Sequence, residues 1–137
     1  MAYWLLKSEA AKYSWQQMVK DGRTHWDGVR NFQAANNLKA MKQGDRAFFY
    51  HSNEGKEIVG VVEVVKSFYP DPADQSGKLG MVDVEPVMPV AAKVGLPAMK
   101  AKPELSGLSL LRQSRLSVCP VSDSEWKVIC GMAGISA

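Results

Sequence analysis

The sequence turns at Trp26-Asp27-Gly28-Val29-Arg30-Asn31 and continues into Phe32-Gln33-Ala34-Ala35-Asn36-Asn37-Leu38-Lys39-Ala40-Met41, a pattern that predicts a turn followed by a helix. The dipeptide Asp27-Gly28 is typical of turns. Asn31 suits an N-cap, because its side-chain oxygen can accept hydrogen bonds from the first N–H groups of a helix. An apolar stripe then recurs at helical spacing in Ala34, Leu38 and Met41, and the predicted helix ends at Gly44-Asp45.

This stretch fits two interpretations, one functional and one structural. The N–H groups at the start of the helix, together with Arg30, could bind an anion or the polar edge of a ring. Equally, Trp26 could belong to the core and Arg30 could pair with Asp27. The stretch by itself leaves both interpretations open.

The whole chain is short and mildly basic. Its 137 residues, net charge of +3 and hydrophobic fraction of 46% predict a single globular domain over residues 1–137. No apolar run reaches the length of a membrane span, and the first residues lack a secretory signal pattern. The two cysteines, Cys119 and Cys130, do not have the spacing of a zinc site, and we expect both to be buried small hydrophobic side chains. We therefore predict a cytoplasmic protein with no metal and no cofactor.

The N-terminal part of the chain predicts a strand and then a helix. A buried strand over residues 3–6 is predicted to end in the polar triplet Lys7-Ser8-Glu9. The next helix should begin at Ser14, with Gln17 as the partner in a capping box. Its C-cap is predicted in Lys20-Asp21-Gly22, where glycine suits the last position.

The middle of the chain predicts three consecutive strands. Residues 46–51 are dense in aromatics, and residues 58–65 are almost continuously β-branched. Gly60 within the second stretch indicates a bulge or a close approach of the backbone. Residues 81–85 alternate apolar and acidic side chains, so we expect one face of that strand to be wet. Pro86 and Pro89 should end or bend it, because proline cannot donate to the ladder.

These elements predict an α+β fold with a mixed sheet that resembles a barrel and is surrounded by helices. The predicted order is strand, helix, helix, three strands, helix, strand, helix. The three consecutive strands should pair antiparallel, because short connections join them. The last helix should begin at Ser122, with Glu125 completing its capping box.

The sequence contains no sharp catalytic motif, but it places aromatic and polar residues at the ends of predicted strands. There is no Walker loop, no dinucleotide fingerprint and no GxSxG turn. An unpaired nucleobase needs a flat aromatic face and a few hydrogen-bonding groups, and the strand ends supply both. Taken singly, each residue is better explained as core or as a solvated strand end. The residues are Trp4, Lys7, Ser8, Trp26, Asn31, Phe48, Tyr50, His51 and Ser52, with Arg30, Arg112 and Arg115 available for flanking phosphates.

Taken together, several motifs resemble the EVE domain family. The chain is similar to the small stand-alone bacterial members of this family, which are related to the thymocyte nuclear protein of eukaryotes. The resemblance extends over nearly the whole chain. The motifs are Tyr3-Trp4-Leu5-Leu6-Lys7-Ser8-Glu9, Tyr13-Ser14, Trp26-Asp27-Gly28-Val29-Arg30-Asn31-Phe32-Gln33-Ala34, Gly44-Asp45, Phe48-Phe49-Tyr50-His51-Ser52, Ile58-Val59-Gly60 and Arg115-Leu116-Ser117-Val118.

The resemblance implies a PUA-like fold, a partly open β-barrel with helices around it. It also implies a non-catalytic pocket for a modified base in DNA or RNA, such as methylated or hydroxymethylated cytosine, in an oligonucleotide or as a free nucleotide. Gly28 would let the backbone approach the ligand closely. The ligand-binding residues would be Lys7, Ser8, Trp26, Gly28, Val29, Arg30, Asn31, Tyr50, His51 and Ser52, with Arg112 and Arg115 at the nucleic-acid backbone.

Two residues depart from the family pattern, and two alternative functions stay open. Ala10 stands where the family usually has proline, and Ala35 stands where it usually has arginine; the second departure could weaken a phosphate contact. The first alternative is an enzyme acting on a modified nucleoside or small amide, with His51 as its candidate general base. The second is a protein-interaction module with a vestigial pocket, which a large exposed apolar patch would favour.

Overall fold

The computed structural model describes residues 2–27, 31–53, 55–72, 80–113 and 115–136. The strands are β1 (Tyr3–Glu9), β2 (Thr24–Trp26), β3 (Arg46–Ser52), β4 (Glu57–Pro70), β5 (Gly80–Gly95) and β6 (Val118–Val121). The helices are α1 (Trp15–Asp21), α2 (Phe32–Ala40), α3 (Leu96–Lys100), α4 (Ser109–Arg112) and α5 (Asp123–Ala133), with a 3-10 turn at Pro103–Leu105.

One mixed sheet carries the fold, in the strand order β2-β5-β4-β3-β1-β6. The sheet is not closed. β1 runs parallel to β3 and antiparallel to β6. β3, β4 and β5 pair antiparallel in sequence order, which confirms that prediction. The chain therefore has the predicted α+β fold with a mixed, partly open sheet and surrounding helices.

The central strands are covered on both faces, which explains their density of aromatic residues. Successive side chains of a strand point to opposite faces. On one face Phe48 stacks on Trp126 of α5, with ring centroids 4.0 Å apart. On the other face Phe49 meets the ring of Trp15 from α1 edge-on, at 5.6 Å. Both phenylalanines are fully buried.

Gly60 allows α1 to pack closely against the sheet. A Cβ at this position would lie 2.5 Å from the ring of Trp15, so only glycine leaves room for the indole. The ladder between β3 and β4 also slips beside it, since Phe49 pairs with Gly60 and Tyr50 pairs with Ile58. Both predicted roles of Gly60, the bulge and the close approach, are therefore present.

Helix capping follows the sequence closely. Ser14 accepts from Gln17 N at 3.1 Å, Asn31 accepts from Ala34 N at 3.0 Å, and Gly22 ends α1 with a φ of 74°. Ser122 and Glu125 form a complete capping box. In α1 the side-chain amide of Gln17 donates to Asp21 Oδ1 instead of reaching back to the cap.

Other element boundaries differ from the sequence-based prediction. α2 ends at Ala40 and not at Gly44, because Asp45 Oδ2 accepts from Lys42 N and holds residues 42–45 in a separate turn. β5 continues past Pro86 and Pro89 to Gly95. It does so through a register shift, in which Val61 faces Met88 but Val62 faces Pro86. The extra residue accommodates prolines that cannot donate to the ladder.

Candidate functional site

A cavity of about 450 Å³ opens where β1 and β2 end. β1 delivers the polar triplet Lys7-Ser8-Glu9 to its wall, and β2 delivers Trp26. Because both strands belong to one sheet, ladder hydrogen bonds fix the backbone that carries these side chains. We call this space the β1–β2 cavity; its lining residues are Lys7, Ser8, Glu9, Lys12, Tyr13, Thr24, His25, Trp26, Asp27 and Ser117.

Trp26 supplies the aromatic wall of the β1–β2 cavity. Its ring contacts Phe49 edge-on at 5.6 Å and Tyr13 edge-on at 6.4 Å, so the core supports it from behind. Trp26 is half-buried, whereas Trp4, Trp15 and Trp126 are each less than a tenth exposed. It is therefore the tryptophan that can present ring surface to a ligand.

The polar wall of the cavity is well ordered by local hydrogen bonds. Ser8 is buried, and its Oγ donates to the carbonyl oxygen of Tyr13 at 2.6 Å. That bond uses the hydroxyl proton and leaves the lone pairs of Ser8 Oγ as acceptors. The N–H of Lys7 donates to Ser117 O at 3.0 Å, which joins β1 to the segment before β6. Burial lowers the pKa of Lys7.

A buried carboxylate, Asp83, stands behind the cavity. It accepts two hydrogen bonds from Arg23, at 2.8 and 3.2 Å, and lies 2.8 Å from His25 Nδ1 and in contact with Tyr69 Oη. Burial alone would raise the pKa of Asp83, but the hydrogen bonds from His25, Tyr69 and Arg23 together lower it to about 2. The carboxylate is thus ionised, and it fixes His25 at the edge of the β1–β2 cavity. The predicted wet face of this strand is wrong at Asp83, because the side chains of Arg23, His25 and Tyr69 cover its carboxylate.

Most of the predicted binding residues that the structure describes line one of three cavities. Lys7, Ser8 and Trp26 lie together on the β1–β2 cavity. Tyr50 and Ser52 line a second space of about 250 Å³ that also reaches Lys7. Asn31, Arg112 and Arg115 line a third space of about 340 Å³, the α2–α4 cavity, whose other residues are Gln33, Gln113 and Leu116. Gly28, Val29 and Arg30 lie outside the described residues.

His51 has a structural bond that bears on the enzymatic alternative. Its Nε2 accepts the backbone N–H of Trp15 at 3.0 Å, at the start of α1. Burial lowers the pKa of His51, which favours the neutral ring that this bond requires. His51 does not line any of the three cavities formed by the described residues.

Several cavity residues were not among the predicted ones. Glu9, Tyr13, Asp27 and Ser117 all stand inside motifs that carry the family resemblance, so the sequence contained a signal for them. Lys12, Thr24 and His25 lie outside those motifs. The places of Thr24 and His25 depend on how β2 pairs with β5, which no local pattern reveals, whereas Lys12 lies in the turn after β1.

Two features are absent from the residues that the structure describes. Among them, no three side chains of histidine, cysteine, aspartate or glutamate are grouped so as to hold a metal ion. No helix there has the length and apolar character needed to cross a membrane. Cys119 and Cys130 are unpaired and buried, as predicted.

Comparison with known proteins gives consistent matches over the whole chain. A model of the EVE domain matches residues 2–132. The chain is 34% identical to thymocyte nuclear protein 1 of Rattus norvegicus, in an alignment that covers 95% of this chain and 73% of that protein.

Solved structures extend the likeness to three dimensions. A protein from Rhodopseudomonas palustris, determined by NMR, has a TM-score of 0.94 and 51% identity, covering 98% of this chain and 94% of that one. The human THYN1 protein in complex with DNA containing 5-methylcytosine has a TM-score of 0.90 and 30% identity, covering 100% of both chains. The predicted PUA-like fold is confirmed.

Proposed function

Since the chain belongs to the EVE domain family, we propose that it binds a modified nucleobase of DNA or RNA in the β1–β2 cavity and catalyses no reaction on it. The observation that carries this proposal is the half-buried ring of Trp26 on the wall of a cavity lined by hydrogen-bonding groups. A volume of about 450 Å³ falls in the usual range for small-ligand sites. The human relative bound to 5-methylcytosine DNA supports the choice of ligand class.

The chemistry of the wall suits a base removed from its stack. The face of Trp26 can stack on the ring, a contact that contributes about 1–3 kcal/mol per base. Ser8 Oγ offers acceptor lone pairs and the carboxylate of Asp27 offers more, so an exocyclic amino group of cytosine or adenine would find partners. Lys7 adds positive charge at the same wall, which suits a phosphodiester, whereas Lys12 pairs with Glu9 at 3.3 Å.

The experiment is a pair of titrations with two otherwise identical oligonucleotides, one containing cytosine and one containing 5-methylcytosine. Because both carry the same phosphates, the electrostatic part of binding cancels at fixed salt. We expect tighter binding of the methylated strand, by fluorescence anisotropy of a labelled probe. Trp26→Ala should remove the preference, and Trp26→Phe, which keeps an aromatic ring, should retain part of it. Equal affinity of wild-type protein for both strands, and for matched strands with other modified bases, would overturn the proposal.

A further inference from the structure

Phe32 is an exposed aromatic residue at the first position of α2. Its side chain is 83% exposed, more than that of the other two large exposed hydrophobic residues in the described part of the chain, Val19 at 53% and Val87 at 37%. A helix gains nothing by presenting phenylalanine to water, since burying such a side chain stabilises a protein by about 1.5–3 kcal/mol. The exposed ring is therefore available to stack on a ligand.

The residues on either side of Phe32 line the α2–α4 cavity, which has the character of a phosphate site. Asn31, Gln33, Arg112 and Arg115 line a space of about 340 Å³, and no carboxylate of a described residue is among its lining side chains. Neither guanidinium forms an ion pair with a described residue. Arg112 makes only a long bond of 3.4 Å to Ser106 O. Two exposed arginines that form no ion pair with a described carboxylate are available to an anion.

The linings of the α2–α4 cavity and of the β1–β2 cavity include two consecutive residues. Ser117 lines one space and Leu116 lines the other, and consecutive Cα atoms are about 3.8 Å apart. The side-chain amide of Asn37 donates to Val118 O at 2.7 Å, which fastens α2 to the beginning of β6. The neighbours of Phe32 thus share a cavity with the two arginines, and Leu116 and Ser117 connect that cavity to the lining of the β1–β2 cavity.

We propose that the nucleotide next to the modified one stacks on Phe32 while its phosphate is held by Arg112 and Arg115. An aromatic platform beside a basic groove is the usual arrangement for binding single-stranded nucleic acid. The proposal rests on the proposed function and adds the class of ligand: a single-stranded or locally opened oligonucleotide, and not a free nucleotide. A mononucleoside would fill the β1–β2 cavity but leave Phe32 and the arginines uncovered.

The test compares two probes, a single-stranded DNA hexamer with one 5-methylcytosine and the nucleoside 5-methyl-2′-deoxycytidine. We expect Phe32→Ala to weaken binding of the hexamer by between about fivefold and about a hundredfold, the range given by losing one stacking partner. Binding of the nucleoside should not change. Arg115→Gln should weaken binding of the hexamer. It should also reduce by about one the slope of the logarithm of the binding constant against the logarithm of the salt concentration.

The matched control is Val19→Ala, which also removes an exposed apolar side chain but lies on α1, outside the three cavities. Equal hexamer affinity in Phe32→Ala and Val19→Ala would overturn this inference while the proposed function stands, provided that the wild-type protein binds the nucleoside. If the wild-type protein binds neither probe, nor the corresponding probes with other modified bases, the proposed function fails and this inference fails with it. Phe32 is exposed, so its replacement does not endanger folding.

Discussion

Asp83→Asn tests how the buried carboxylate holds the region behind the β1–β2 cavity together. The side chain of Asp83 is 5% exposed and receives hydrogen bonds from Arg23, His25 and Tyr69. The substitution keeps the shape but removes the charge, and it points an amide N–H toward groups that are themselves donors. We therefore expect Asp83→Asn to lower the free energy of unfolding and to loosen the contacts that Arg23, His25 and Tyr69 make with this side chain.

The magnitude follows from the pKa of Asp83. Its fall from 3.8 to about 2 corresponds to about 2.5 kcal/mol at pH 7. The side chains of Arg23 and His25 are 50% and 64% exposed, so water screens both partners and we expect a loss of about 1–2 kcal/mol. Because the folded pKa lies below the unfolded one, this stability is present above pH 4 and is lost as the pH falls toward 2.

Urea unfolding of wild-type protein and Asp83→Asn at pH 7 and at pH 3 measures the effect, with Glu85→Gln as the matched control on the same strand. The difference between wild type and Asp83→Asn should be largest at pH 7 and shrink at pH 3, since the amide does not titrate. Glu85→Gln should stay within about 0.5 kcal/mol of wild type, as is usual for surface changes. An Asp83→Asn variant as stable as Glu85→Gln at pH 7 would refute the reasoning.

Three further results are expected. Gly60→Ala should lower the free energy of unfolding in urea by about 1–3 kcal/mol, because its Cβ would lie 2.5 Å from the ring of Trp15. Gly131→Ala, which has open space around it, should raise the free energy of unfolding by up to about 1 kcal/mol. Equal effects of the two substitutions would contradict this packing. Burial lowers the pKa of His51 below 6.5, so stability should fall as the pH drops below 6.5, and His51→Gln should show a smaller fall across the same pH series. Burial raises the pKa of Cys119 to about 11, so a thiol reagent at pH 8 should label it only after urea unfolds the protein; rapid labelling of the native state would contradict its burial.

Local signals in the sequence predicted the local structure well. The caps at Ser14, Asn31 and Ser122 follow from side chains that accept hydrogen bonds within three residues, so a linear motif contains the information. Gly60 was predictable for a similar reason, because a lone glycine in a β-branched strand implies a local steric need. The antiparallel order of β3, β4 and β5 follows from short connections.

The arrangement of the site was less predictable, because it depends on strand register. His25 and Asp83 are 58 residues apart and meet only because β2 pairs with β5. β2 has three residues, too few to show a period. The same limit explains why the predicted binding residues divide among three cavities: the motif that contains Tyr50 gives its place on β3 but not the direction in which the neighbouring cavity opens.

The most direct test of modified-base binding in the β1–β2 cavity is an NMR titration of ¹⁵N-labelled protein with 5-methyl-2′-deoxycytidine. We predict saturable shifts of the Trp26 indole N–H and of the amides of Ser8 and Asp27, which line the cavity. The indole signal of Trp4, whose Nε1 donates to the buried Asp45 at 3.0 Å, should not move and serves as the internal control. Saturable shifts confined to residues away from the β1–β2 cavity, with the Trp26 indole unmoved, would contradict the proposed site.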